Sequence, residues 1–135
     1  MQIKKLNMLA VGLGSLLFLT IESAWAHHSF AVEYDYQKPV ELQGKLTKVE
    51  LMNPHSWLTL EVQADDGTTQ TWEVEAGAPN GLYRRGFTRD SLPVGTEVVV
   101  RGYQARADSR TANGGSIRVV DGTETFLLGG SNPDF

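Results

Sequence analysis

The side chains best suited to bind a metal ion lie in two short motifs. Histidine occurs at His27, His28 and His55 and at no other position. The histidine pair begins the sequence HHSF, and Met52 lies three positions before His55 in the sequence MNPH. Copper accepts both imidazole nitrogen and thioether sulfur as ligands, and zinc accepts imidazole. These motifs predict metal binding, provided that the fold brings them together.

The residues before His27 follow the order of a secretory signal peptide. Lys4 and Lys5 precede the apolar run MLAVGLGSLLFLTI, and the next residues, ESAWA, place alanine at both small-residue positions of a cleavage site. The apolar run is shorter than the about 20 residues that a membrane-spanning helix needs. We therefore expect residues 1–26 to be removed after Ala26, which makes His27 the N-terminus.

A histidine at a processed N-terminus is a chelator. Its free α-amine, with a reference pKa of about 7.7–8.0, and its own ring nitrogen can bind the same metal ion. His55 would complete a nitrogen-rich set that suits Cu(II), and a nearby thioether such as Met52 favours Cu(I). Successive residues of a strand face opposite ways, so His28 is an optional ligand, as is Met52. The predicted metal is copper, with zinc second.

The same side chains also have a purely structural interpretation. His55 can orient the turn that Asn53 and Pro54 predict, and Met52 can fill part of the core. In that case the histidine pair binds no ligand, and the protein is not a metal protein.

Composition excludes several other classes of protein. The signal peptide takes two of the 12 basic and one of the 16 acidic residues with it, which leaves a mature net charge of −5. This charge is a poor match for nucleic acid or an anionic membrane surface. The sequence contains no cysteine, so we expect neither a disulfide nor a lipid anchor. The expected product is one small periplasmic or secreted domain without a membrane anchor.

The mature sequence predicts short β-strands, because apolar residues recur at every second position. The apolar phase changes within residues 40–51, which predicts a bulge or bend near Gly44. Asp66 and Gly67 predict a hairpin between the next two strands, and the Asp-Gly pair at residues 121–122 predicts a last hairpin. Residues 79–86 carry the start and stop signals of a short helix. We expect its Leu82 and the following Phe87 to be core residues.

Three strands, a short helix and two or more further strands are the order of an OB-like barrel of five to six strands. A β-sandwich needs more strands than this chain supplies. The predicted organisation is an N-terminal arm at 27–39, an all-β barrel domain at 40–128 and a flexible tail at 129–135. We expect the arm to be extended and to pack along the barrel, with a set of alternating residues on one side: His28, Phe30, Val32, Tyr34 and Tyr36.

Three blocks follow one another along the mature chain: HHSF at 27–30, NPH at 53–55 and RRGFTRDSL at 84–92. With these blocks the chain resembles a family of small exported bacterial proteins grouped as a domain of unknown function. This chain has Phe87 where that family tends to have tryptophan, a substitution that should preserve packing. The resemblance covers nearly the whole mature chain. It implies a secreted OB-like domain and supplies no activity, catalytic residue or ligand.

A second candidate site contains three arginines around Gly86, namely Arg84, Arg85 and Arg89. Clustered guanidinium groups can bind a carboxylate or phosphate through paired hydrogen bonds, so a small anionic ligand is one interpretation. In the other, the arginines form surface ion pairs and serve the structure. The candidate partners for those ion pairs are Asp90, Glu73 and Glu75.

Trp57 lies on the strand phase opposite Leu58 and Leu60, so its ring is expected to face away from the core. OB barrels bind ligands across their second and third strands, where such a ring can stack on a sugar or an aromatic group. The alternative is that the N-terminal arm covers Trp57.

No catalytic residue is predicted. The sequence shows no serine-histidine-aspartate signature, and we expect the pair Glu73 and Glu75 to be ordinary solvated carboxylates. Two functions remain: a periplasmic copper-binding domain, and a non-metal OB-type module for a small ligand or a protein partner. A structural accessory protein is a third. An oxidative copper enzyme is a remote alternative, because enzymes of that kind use a flat surface on a larger sandwich.

Overall fold

The computed structural model describes residues 30–107 and 109–129. From Glu33 onward these residues form one compact unit, and residues 30–32 belong to a separate N-terminal unit. The predicted signal peptide, the pair His27 and His28, and the tail after Gly129 lie outside the described residues.

The described residues contain six strands in one sheet. They are β1 (Tyr34–Glu50), β2 (Ser56–Gln63), β3 (Thr69–Ala76), β4 (Glu97–Ala105), β5 (Thr111–Val119) and β6 (Thr125–Leu127), with a short helix at Pro79–Arg84 between β3 and β4. Neighbours follow the order β3-β2-β1-β4-β5-β6 and pair in antiparallel fashion. A parallel pairing of β3 with β5 closes a ring of hydrogen bonds. The predicted barrel-like, mainly β fold with a small inserted helix is confirmed.

The first strand contains an irregularity in its pairing with β2. Leu42 and Leu46 are buried, and the register with β2 then shifts between Leu46 and Lys48, which leaves Thr47 as an extra residue. The predicted bulge is therefore present, but it lies three residues after Gly44. At Gly44 the strands approach closely instead, since a Cβ there would lie 2.2 Å from a backbone oxygen of β2.

The predicted hairpin between β2 and β3 is confirmed. The strands pair without interruption, and Gly67 in the turn has φ of +81°. The Asp66 carboxylate accepts hydrogen bonds from the backbone N–H of Thr68 at 2.9 Å and from its hydroxyl at 2.6 Å. These bonds, that of the hydroxyl first, lower the pKa of the exposed Asp66 carboxyl.

The short helix and the turn after it contribute two of the largest core side chains. Leu82 and Phe87 are both fully buried, as predicted, and the Phe87 ring meets the Phe126 ring edge to face with centroids 5.5 Å apart. In the turn that follows, the Thr88 backbone N–H donates a hydrogen bond to the Ser91 hydroxyl at 2.8 Å. The core thus extends from the strands to the helical connection.

The extended N-terminal segment is confirmed from Tyr34 onward, where it is the beginning of β1 and pairs with β4. Residues 30–33 are helical instead, so the alternation predicted to place Phe30 and Val32 beside Tyr34 does not hold there. Tyr36 packs on Tyr103 of β4, with ring centroids 5.4 Å apart. No helix within the described ranges is long and apolar enough to cross a membrane.

Candidate functional site

The candidate site is centred on a buried carboxylate that contacts two ring-bearing side chains. Glu75 on β3 is only 5% exposed. Its Oε2 accepts a hydrogen bond from the Tyr34 hydroxyl, and its Oε1 pairs with Nδ1 of His55. We call these three residues the Glu75 cluster. The cluster joins the start of β1, the loop before β2 and the end of β3.

The hairpin register places His55 beside Glu75. Ser56, the first residue of β2, pairs with Ala76, the last residue of β3. The Ser56 backbone N–H also donates to the Gly77 carbonyl at 3.2 Å. In this antiparallel register Gly77 lies opposite His55, and Glu75, two residues before Gly77 on the same side of the strand, is the diagonal neighbour of His55. Side chains alternate along a strand, so Glu75 points away from the core face that Val74 and Ala76 occupy.

Ring closure brings Tyr34 to the same carboxylate. Tyr34 pairs with Ala105 on β4, β4 pairs with β5, and β5 pairs with β3. The start of β1 is therefore linked to the end of β3 around the closed side of the sheet. The pairing of β3 with β5 is parallel and non-local, and sequence alternation by itself does not predict it.

Burial keeps the Tyr34 hydroxyl in its protonated form. Tyr34 is 4% exposed, and burial, followed by its hydrogen bond to Glu75 and the charge of that carboxylate, raises the pKa of the phenol far above its ordinary range. The hydroxyl therefore acts as a permanent hydrogen-bond donor to Glu75. A buried carboxylate needs such donors, because burying an ionised group without partners is strongly unfavourable.

The two ring nitrogens of His55 differ in their contacts with the protein. Its Nδ1 contacts Glu75, while the side chain as a whole is 54% exposed. No hydrogen-bond partner for its Nε2 occurs among residues 30–107 and 109–129. Metal-binding histidines commonly use this arrangement, in which one ring nitrogen bonds to a carboxylate and the other binds the metal.

Two further residues flank Glu75 on neighbouring strands. Trp57 on β2 lies directly opposite it and is half-buried, and Asn113 on β5 lies opposite it in the parallel pairing. Asn113 is 5% exposed, and its buried Oδ1 has no hydrogen-bond partner in the described part of the chain. The register therefore brings Trp57, a predicted ligand-binding residue, next to the Glu75 cluster.

Of the four predicted metal ligands, two lie in the described part of the chain. Met52 and His55 belong to the same loop between β1 and β2, and Met52 is 46% exposed. His27 and His28 lie outside the described residues. Where the structure is described, no group of three or more histidine, cysteine or acidic side chains is arranged to hold a metal ion.

The prediction that the three arginines around Gly86 form ion pairs with Asp90, Glu73 and Glu75 is wrong. Within the described ranges, Arg84, Arg85 and Arg89 form no ion pair, and all three are exposed. Glu75 is occupied by its own cluster, and Glu73 accepts a hydrogen bond from Thr59 at 3.2 Å. Asp90 likewise has no arginine partner in the described structure. The alternative interpretation, binding of a small anion, remains a prediction.

Sequence reasoning missed the central role of Glu75, which it treated as a solvated carboxylate on a strand face. Glu75 lies on the predicted face of β3, but the prediction that its carboxylate is exposed to solvent is wrong, because residues of other strands cover it. It also missed Tyr34 as a partner of Glu75 and assigned it only to packing. The alternating pattern of β3 contains no signal that distinguishes Glu75 from Glu73.

Comparison with known families gives one match. The model of a family described as a family of unknown function, DUF6152, matches residues 16–114, which include the whole Glu75 cluster. No curated protein and no solved structure matches the chain.

Proposed function

Since the chain belongs to DUF6152, a family of unknown function, we propose a function from the site itself: a small exported domain that binds copper. His55 supplies one ligand through Nε2. The processed N-terminus supplies two more, the α-amine and the ring nitrogen of His27. The single observation that carries this proposal is the contact of His55 Nδ1 with the buried Glu75.

The contact at Nδ1 supports the proposal because it leaves Nε2 of His55 available to bind a metal ion. A carboxylate at Nδ1 favours the proton on that nitrogen, so the lone pair of the neutral ring is at Nε2. The 54% exposure of the side chain leaves room for a metal ion and further ligands at that edge.

The course of the chain also supports the proposal. Tyr34, which shares the Glu75 carboxylate with His55, lies seven residues after His27. Seven extended residues span at most about 25 Å, so the segment between them is a short tether. A tether of this length allows the mature N-terminus to reach His55.

The expected donor set selects the metal. An α-amine and two imidazoles form a nitrogen-rich set, which suits Cu(II) and then zinc. Met52 in the same exposed loop adds a soft sulfur that Cu(I) prefers. His28 is an optional further ligand. The proposal includes export, with cleavage after Ala26 and a periplasmic or secreted location, and no catalytic activity.

The test begins with the processed protein, whose first residue is confirmed as His27 by mass. Cu(II) is titrated against a chelator of known affinity, and zinc is titrated in parallel. We expect one Cu(II) per chain. His55→Ala and His27→Ala should each weaken Cu(II) binding by at least the about 10–100-fold that loss of a supporting partner costs.

His28→Ala is the matched control, because it removes the same side chain one position away and leaves the α-amine in place. Because His28 is only an optional ligand, we expect His28→Ala to lose less affinity for Cu(II) than His27→Ala. An affinity that is unchanged in both His55→Ala and His27→Ala would refute the proposal, as would a mature chain that begins at another residue.

A further inference from the structure

We infer that Glu75 is the positioning residue of His55: by accepting the Nδ1 proton, it fixes one ring tautomer and one ring orientation, and leaves Nε2 as the basic nitrogen. Its consequence for copper rests on the proposed function. The tautomer itself does not depend on any metal and can be measured alone.

A residue that positions His55 must itself be held in place, and the exposures of Glu75 and His55 agree with this role. The Glu75 side chain is 6% exposed, whereas that of His55 is 54% exposed. One end of the contact is therefore held inside the structure, and the other reaches the surface. Glu75 lies on a strand that is paired on both sides, with β2 and with β5, so its backbone has little freedom.

Tyr34 holds the carboxylate from the other side. Each carboxylate oxygen of Glu75 has its own partner, Oε2 the Tyr34 hydroxyl and Oε1 the His55 ring. A carboxylate bound at both oxygens cannot turn away from the imidazole without losing a hydrogen bond in a buried place, which is unfavourable. The position of Oε1, and with it that of Nδ1, is thus set by residues far apart in the sequence.

Glu73 provides an internal comparison. It lies two residues earlier on the same face of β3, and its carboxylate accepts a hydrogen bond from the Thr59 hydroxyl. It makes no contact with His55 in the described structure. Replacing Glu73 therefore changes the charge of this face by the same amount as replacing Glu75, without touching the imidazole.

The experiment is nitrogen-15 NMR of the histidine rings in the metal-free processed protein, at about pH 9, above the ordinary titration range of imidazole. The His55 signals are assigned by their loss in His55→Gln. In the wild type we expect His55 to carry its proton on Nδ1. In Glu75→Leu we expect a mixture of both tautomers, and in Glu73→Leu the wild-type tautomer.

A second readout is the affinity for Cu(II). We expect Glu75→Leu to lose about 10–100-fold, as other replacements of carboxylates that support metal-binding histidines do. Glu73→Leu should retain the wild-type affinity. Amide spectra establish that each variant is folded.

The outcomes separate this inference from the proposed function. A wild-type His55 protonated on Nε2 would overturn the inference without recourse to any variant, and so would an unchanged tautomer in folded Glu75→Leu. If the tautomer behaves as expected but the wild type binds no copper, the positioning role is supported and the proposed function fails.

Discussion

Nδ1 of His55 contacts Oε1 of Glu75, so an exposed loop histidine is paired with a carboxylate that is almost completely buried. This relationship decides how the loop between β1 and β2 can act. It occupies Nδ1 of a side chain that is 54% exposed, and it links His55 to Tyr34 at the start of β1 through the same carboxylate.

Met52 should matter for one oxidation state of copper and not for the other. Its exposed thioether lies in the same loop as His55. We expect Met52→Leu to weaken Cu(I) binding by about 10-fold or more, because thioether sulfur prefers Cu(I), and to leave Cu(II) binding nearly unchanged. Competition with chelators specific for each oxidation state measures both. Equal effects on the two would show that Met52 acts through the fold.

Replacing Tyr34 should destabilise the protein. Tyr34→Phe removes the donor to Glu75 Oε2 and leaves that buried oxygen without a partner, at a cost of about 1–3 kcal/mol in the free energy of unfolding. Urea unfolding measures the change. Tyr83→Phe is the control, because Tyr83 is 48% exposed, and we expect it to stay within about 0.5 kcal/mol of the wild type. Equal stability of the two variants would contradict a structural role for the Tyr34 hydroxyl.

Asp66 should contribute to stability above its titration range and lose that contribution in acid. Its pKa is lower in the folded state than the reference value of 3.8, chiefly through the Thr68 hydroxyl. The stabilisation is therefore complete above the unfolded-state pKa and disappears as the pH falls through the folded-state pKa. We expect Asp66→Asn to be less stable than the wild type at neutral pH and to approach it in strong acid.

Unfolding curves across that pH range test this, with Asp65→Asn as the control at the adjacent exposed position. A difference between Asp66→Asn and the wild type that does not change with pH would contradict the prediction. It would mean that the shape of the side chain, and not its charge, stabilises the turn.

Gly44 should tolerate no side chain. A Cβ there would lie 2.2 Å from the backbone oxygen of Glu61, far inside van der Waals contact. We expect Gly44→Ala to separate β1 from β2 and to cost at least the about 1–3 kcal/mol typical of overpacking. Thermal unfolding measures the loss, and Gln43→Ala at the neighbouring exposed position serves as control. A stable Gly44→Ala would show that the strands can move apart without penalty.

Local patterns were sufficient for most of the secondary structure. The alternation of Leu58 and Leu60 specified the buried face of β2, and the Asp66-Gly67 pair specified its turn. Leu82, between the helix signals, and Phe87, directly after them, could be recognised as core residues. The bulge was predictable as a change of phase, but its place at Thr47 was not, because it depends on how β1 pairs with β2.

The candidate site could be predicted only in part. The histidines and Met52 stand out by their chemistry, and Trp57 was placed on the correct face of its strand. The arginines suggested carboxylate partners. In the structure, however, Glu73 accepts a hydrogen bond from Thr59, and Glu75 contacts Tyr34 and His55. The partners of each carboxylate depend on how strands that are distant in the sequence pair with one another.

By itself the sequence determined that this chain forms a small β-rich domain, with turns, core faces and metal-type ligands in recognisable places, because these features depend on neighbouring residues. Only the tertiary structure decided that Glu75 is buried and shared by Tyr34 and His55. The physical reason is that closure of the sheet brings together residues that are distant in the sequence. Tyr34 and His55 contact the Glu75 carboxylate, whereas Glu73, which also pairs with β5, is bonded by Thr59 and remains partly open.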